Sequence, residues 1–233
     1  MPAADFGAAC LDALFAAVAG IEQPVVGLPT GNTPVGLFEA LRAAVESGDA
    51  RISAWRPFAI DEYGGPRNHP CSNRSFFARY WDIIPGAPDV GQFDPQAPDL
   101  NVECARMTAA LERAGGLDVA VLGIGMNGHL AFNEPGSARE STVRRVILHD
   151  ASRAAGSHCW GAATPAWGLT LGLRELLTAR TVLVLANGAA KAPIVAAAIN
   201  GPATAGCPAS LARTAANTVW VLDEAAATLL PGT

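Results

Sequence analysis

Short apolar runs rich in Val, Leu and Ile recur along the chain at 24–28, 57–60, 119–123, 145–148, 181–185 and 218–222. Longer Ala- and Leu-rich stretches separate them, at about 4–19, 34–47, 72–82, 99–114, 168–178, 189–199 and 223–229. An uninterrupted apolar run of four to six residues is the mark of a strand covered on both faces, because neither side of its pleat meets water. The alternation of such runs with helical stretches predicts an α/β protein built on a mostly parallel sheet with helices on both faces. No repeat or low-complexity tract interrupts the pattern. The proline-rich stretch over 84–98 carries too much apolar content for a tether and reads as a long surface connection. Half of the 233 residues are apolar, enough to bury about 70% of the unfolded surface, so residues 1–233 are expected to form one domain.

Composition narrows the function classes. Net charge is −5 and no cluster of Lys or Arg is suited to a row of phosphates, which argues against nucleic acid as a partner. The alanine-rich N-terminus carries Asp5 and Asp12 and no basic leader, so it reads as an amphipathic helix. No uncharged apolar stretch reaches the ~20 residues that span a bilayer. The five cysteines, at 10, 71, 104, 159 and 207, are odd in number and never spaced as C-x-x-C. Neither a disulfide framework nor a metal site is expected from them, and a reducing, cytoplasmic setting fits best.

Four segments carry candidate chemistry. The run at 119–123 opens into Gly123-Ile-Gly-Met-Asn-Gly-His-Leu-Ala-Phe-Asn-Glu-Pro135, which places His129 and Glu134 just beyond a strand's carboxyl end, where open α/β sheets bind ligands. An imidazole with a carboxylate five residues on suits acid–base work; the alternative is a turn histidine beside a solvated glutamate. After the run at 24–28 comes Pro29-Thr30-Gly31-Asn32-Thr33-Pro34, with Thr33 expected as N-cap and Pro34 at the first helical position. A glycine-bearing strand-to-helix turn of this kind cradles anions, although it has neither the Walker nor the dinucleotide glycine pattern. The strand over 57–60 ends in Asp61-Glu62-Tyr63; alternation sends one carboxylate towards a cleft and the other sideways, and Asp61 is the candidate base, a charged turn being the alternative. Ser72 reads as a helix cap. Lys191 follows another apolar strand and is either an anion partner or a solvated lysine.

Taken in order, Leu28-Pro-Thr-Gly-Asn-Thr-Pro34, Ile60-Asp-Glu-Tyr63, the 123–135 segment and the Lys191 segment resemble the glucosamine-6-phosphate deaminase family, short bacterial type. The resemblance implies a Rossmann-like doubly wound sheet and a cofactor-free, metal-free conversion of glucosamine 6-phosphate to fructose 6-phosphate and ammonia. It implies that Asp61 moves a proton from C2 to C1, that His129 opens the pyranose ring, and that Glu134 orients His129. Thr30, Gly31, Asn32, Thr33 and Lys191 would hold the phosphate. Two positions depart from the family pattern. Asn127 stands where many members have Asp, removing a charge near His129. Ser157-His158 stands where the family usually has Ser-Arg, replacing a fork of donors by an imidazole. Arg144, Arg145 and Arg153 are candidates to compensate.

Related 6-phosphogluconolactonases are expected instead to show Asp-Glu-Arg at 61–63 and a different run after Gly-His. A galactosamine-6-phosphate deaminase differs only at C4, which no legible residue reads. A sugar-phosphate sensor would have no need for Asp61, His129 and Glu134 together, and no helix-turn-helix module accompanies them. The sequence does not speak to oligomeric state.

Overall fold

The computed structural model describes residues 1–231. Its strands are, in chain order, β1 (Val25–Leu28), β2 (Arg56–Ala59), β3 (Asp61–Tyr63), β4 (Val119–Gly123), β5 (Arg144–Ile147), β6 (Trp167–Thr170), β7 (Thr181–Ala186) and β8 (Thr218–Leu222). The helices are α1 (Phe6–Val18), α2 (Val35–Glu46), α3 (Asn73–Tyr80), α4 (Leu100–Ala114), α5 (Asp150–Trp160), α6 (Leu173–Leu177), α7 (Ala192–Asn200), α8 (Pro208–Leu211) and α9 (Glu224–Ala227). Five strands form a parallel sheet in the order β2-β1-β4-β7-β8, and three form an antiparallel sheet in the order β3-β6-β5.

The parallel sheet is covered as its apolar runs predict. Val119 and Val121 of β4 and Leu183 and Leu185 of β7 face Leu14 of α1, Phe38 of α2 and Trp81 after α3. Their neighbours Ala120, Leu122, Val182 and Val184 face the other way, onto Met107 and Leu111 of α4 and Val195 of α7. Strand side chains alternate between faces, so a strand buried on both sides has no polar position to spare. The connection over 84–98 is tied to the sheet edge, where Gly91 exchanges backbone hydrogen bonds with Pro57 and Ala59. Among the described residues no helix is long and apolar enough to cross a membrane.

Four local expectations are corrected. The helix expected over 168–178 is strand β6 followed by the short α6. Leu169, Leu171 and Leu173 recur at strand spacing while Leu173, Leu176 and Leu177 recur at helix spacing, and β3 and β5 pair with Trp167–Thr170, which fixes that stretch as a strand. Asp61–Tyr63 is not the end of β2 but a strand of the second sheet, beginning after Ile60. Helix α2 starts at Val35 with Pro34 at its N-cap and no capping side chain, so Thr33 stays in the turn. Ser72 does cap α3, accepting from the Ser75 amide at 3.1 Å.

The fourth correction concerns the cysteines. Cys71, just before α3, and Cys159, near the end of α5, are joined in a disulfide with Cα atoms 5.8 Å apart. Eighty-eight residues separate them in sequence, so their scattered positions hide a proximity that only the fold creates. The unreduced, denatured chain is expected to titrate three thiols, from Cys10, Cys104 and Cys207, and five after reduction. Replacing both partners by Ser is expected to lower unfolding stability by up to about 4.6 kcal/mol, the chain-entropy figure for a loop of this size. Five titratable thiols without reductant would refute the bond.

Candidate active site

The carboxyl ends of β1, β2 and β4 open into one cavity of about 550 Å³. Thr30, Gly31, Asn32 and Thr33 line it from the turn after β1, where Gly31 adopts φ +97°, a conformation closed to most side chains. Asp61, Asn127, His129, His158 and Lys191 line it as well. Elements far apart in sequence therefore bring nine of the ten expected site residues to a common surface, and the tenth, Glu134, stands behind His129.

Asp61 and Glu62 part company at the junction of the two sheets. Asp61 faces the cavity, and the Asn73 side chain donates both to its carboxylate and, at 3.0 Å, to its backbone carbonyl. Glu62 points the other way and accepts from three backbone amides, Tyr63, Asn73 and Arg74, each at 2.8 Å. It thereby satisfies the first amides of α3 and is committed to structure. Burial raises the Asp61 pKa to about 8, the Glu62 charge adds to the rise, and the Asn73 bond opposes it. Burial also raises Glu62, against the pull of its amide donors.

His129 is seated by glycines. The loop after β4 closes through Gly125 N to His129 O at 3.0 Å and Gly128 N to Gly125 O at 2.9 Å, with Gly128 at φ +84°. The imidazole lies directly on the Gly125 backbone, where any Cβ would fall among the ring atoms. Its Nδ1 faces Ser152 Oγ at 3.0 Å and Glu134 Oε2 at 3.5 Å. A carboxylate beside Nδ1 favours the proton there, which leaves Nε2 as the ring's acceptor. Asn127 does not reach the imidazole. It accepts from the His129 amide at 3.2 Å and donates to Glu134 at 2.7 Å.

Glu134 gathers this half of the site. Besides Asn127, the His149 amide donates to it at 3.2 Å, fixing the start of α5. Burial alone would raise its pKa, but bonds from His129 and Ser152, the His129 charge and the Asn127 amide together hold it down at about 2. Tyr63, buried beside Asp61, Glu62 and Glu134, is pushed up instead.

Lys191 sits in the turn Ala189–Lys191 before α7, its Nζ donating to Ile124 O. Burial lowers its pKa. The arginines expected to offset His158 are engaged elsewhere. Arg144 donates to Asn133 and Ser137, Arg145 lies 4.7 Å over the Trp167 ring, Arg153 pairs with Asp150, and none lines the cavity. Sequence reasoning missed Ser152, Asn73 as a partner of Asp61, and Gly125 as a platform. A lone serine in a helix carries no signal, whereas Gly125 was legible as part of the Gly-rich loop. No group of three or more His, Cys, Asp or Glu side chains among the described residues is arranged to hold a metal ion.

Residues 2–220 match the family described as glucosamine-6-phosphate isomerases/6-phosphogluconolactonase. The chain is 36% identical over 216 residues to a glucosamine-6-phosphate deaminase of Cutibacterium acnes, covering 90% of this chain and 82% of that one. It is 35% identical over 229 residues to one of Mycolicibacterium smegmatis, covering 95% and 87%. In three dimensions it matches a monomeric glucosamine-6-phosphate deaminase with TM-score 0.90 at 26% identity, covering 96% and 95% of the two chains. A 6-phosphogluconolactonase from Trypanosoma brucei shares the fold, with TM-score 0.73 at 21% identity over 97% and 95%. A doubly covered parallel sheet with this loop architecture, together with these matches, places the chain in the glucosamine-6-phosphate isomerase/6-phosphogluconolactonase family.

Proposed function

We propose that the protein converts glucosamine 6-phosphate and water to fructose 6-phosphate and ammonia, with residues 1–233 working as one unit. The observation that carries this reading is a buried carboxyl, Asp61, sharing one cavity with an imidazole whose Nδ1 is held by a carboxylate. Relatives at 34–38% identity named glucosamine-6-phosphate deaminase support it.

The sequence of steps follows from the groups present. Nε2 of His129 takes the proton of the anomeric hydroxyl and returns one to the ring oxygen, opening the pyranose to the aldehyde. Glu134 stabilises the imidazolium formed in between. Ionised Asp61 removes the C2 proton, a proton is taken up by the carbonyl oxygen, and Asp61 returns its proton to C1. The amine-bearing C2 is then an iminium, water adds, and ammonia leaves. Water is consumed, so the net reaction is hydrolytic. Thr30, Gly31, Asn32, Thr33 and Lys191 hold the phosphoryl group, which fixes the open chain so that proton transfer between adjacent carbons is intramolecular. His158 stands at the mouth. A cytoplasmic setting belongs to this reading, since its charge keeps a sugar phosphate from crossing the membrane that encloses the cell; there the Cys71–Cys159 bond would stand against the compartment's thiols.

The direct test is ammonia release in metal-free buffer with glucosamine 6-phosphate, galactosamine 6-phosphate and unphosphorylated glucosamine compared. Release from glucosamine 6-phosphate at the highest kcat/KM is expected; silence with all three would overturn the reading. Asp61→Asn, close in shape, is expected to lose about 10²- to 10⁴-fold in kcat while still binding a non-reacting sugar phosphate. Only the carboxylate form can accept the C2 proton, and the Asp61 pKa is raised to about 8. The wild-type kcat/KM is therefore expected to climb with pH and level off above about 8. A profile already flat from pH 5 upward would remove Asp61 as the base.

A further inference from the structure

We propose that Arg79, which no motif singles out, is the permanent cation that engages the substrate's phosphoryl group; the inference rests on the sugar-phosphate reading above. A phosphate monoester brings close to two negative charges at neutral pH, into a cavity whose walls already hold Asp61 and, behind His129, Glu134. The other cations facing it are weak for this task. Burial lowers the Lys191 pKa and its Nζ is drawn to the Ile124 carbonyl, and the His158 ring presents single nitrogens where a guanidinium presents a fork of donors. Arg79 is the one guanidinium among the residues lining the cavity.

Its surroundings leave it available. Nη2 donates to the Pro70 carbonyl at 3.3 Å, and among the described residues no carboxylate lies within ion-pair distance of it. The side chain belongs to the last turn of α3 and leans back towards the helix start, as helical side chains do. Its position is set from two directions. One turn earlier, Phe76 packs edge-on against Phe38 of α2 at 5.5 Å, and its ring lies tilted against that of Tyr80 in the same helix at 4.6 Å. This holds the end of α3 beside the first turns of α2, the helix that follows the Thr30–Thr33 turn. On the other side Pro70 precedes Cys71, whose disulfide partner Cys159 follows His158. Arg79 thus lines the same cavity as the anion turn and His158, and offers the bidentate fork that neither Lys191 nor His158 has.

The test is steady-state kinetics on glucosamine 6-phosphate with inorganic phosphate as inhibitor, for wild type, Arg79→Ala, Arg79→Lys and, as control, Arg153→Ala. Arg79→Ala is expected to raise KM and the inhibition constant for phosphate together by about ten- to a hundredfold, the worth of one charged hydrogen-bond pair, with kcat within about threefold. Arg79→Lys should recover part of the loss, and Arg153→Ala should match wild type. A KM and phosphate inhibition within twofold of wild type in Arg79→Ala, or a fall in kcat alone, would overturn the assignment. If the wild type releases no ammonia, the proposed function fails by itself. The Arg79 assignment is then decided by whether inorganic phosphate raises the melting temperature of the wild type and not of Arg79→Ala.

Discussion

One carboxylate, that of Glu134, ties the loop after β4 to the start of α5, two segments that approach the cavity from different parts of the chain. It binds Asn127 from the loop after β4, faces His129 in the same loop, and receives the His149 amide that opens α5. A buried carboxylate with four lone-pair positions tolerates such a location only when donors surround it, and those donors are what keeps it ionised. The ion and its donors are mutually required. The loop cannot open without stranding a charge, and the charge cannot be removed without releasing the loop, the imidazole and the first turn of α5.

The opposite wall is organised on the reverse principle. Asp61 is surrounded by few donors and is held closer to its neutral form, while the adjacent Glu62, also raised by burial, is the one that three backbone amides pull back. Two neighbouring carboxyl groups acquire different properties because strand alternation sends them to different faces. One caps a helix and the other confronts the cavity. The junction of the parallel and antiparallel sheets makes this separation, since Leu171 N bonds to Ile60 O just before β3 turns away to pair with β6.

What was legible in the sequence follows from range. The strands of the parallel sheet were readable because burial on both faces writes an unbroken apolar run, as in Val119-Ala-Val-Leu122. The cavity's loops were readable because glycines mark the points where strands exit. The antiparallel sheet was legible only in β5, foreshadowed by the run at 145–148; β3, three residues long, was read as the tail of the 57–60 strand and β6 as part of a helix, because both are defined by their pairing. Helix α5 was invisible as a helix, its sequence of Ala, Ser, Gly and His having only Ser152 and Trp160 buried. The Cys71–Cys159 bond and the Asn73–Asp61 contact are likewise products of tertiary proximity that no local pattern encodes.

The bare backbone beneath His129 also bears on which variation the site can accept. Gly125 contributes nothing chemical, yet a single added carbon would occupy the volume of the imidazole itself. Position 127 is different: its side chain contacts the His129 amide and Glu134 without touching the ring, so an oxygen-bearing group of similar size retains the contact to the amide even where it gives up the bond to Glu134. Neighbouring positions of one loop thus differ sharply in mutational tolerance, and drift in this site is channelled to residues that touch the histidine's partners, away from the surface on which its ring rests.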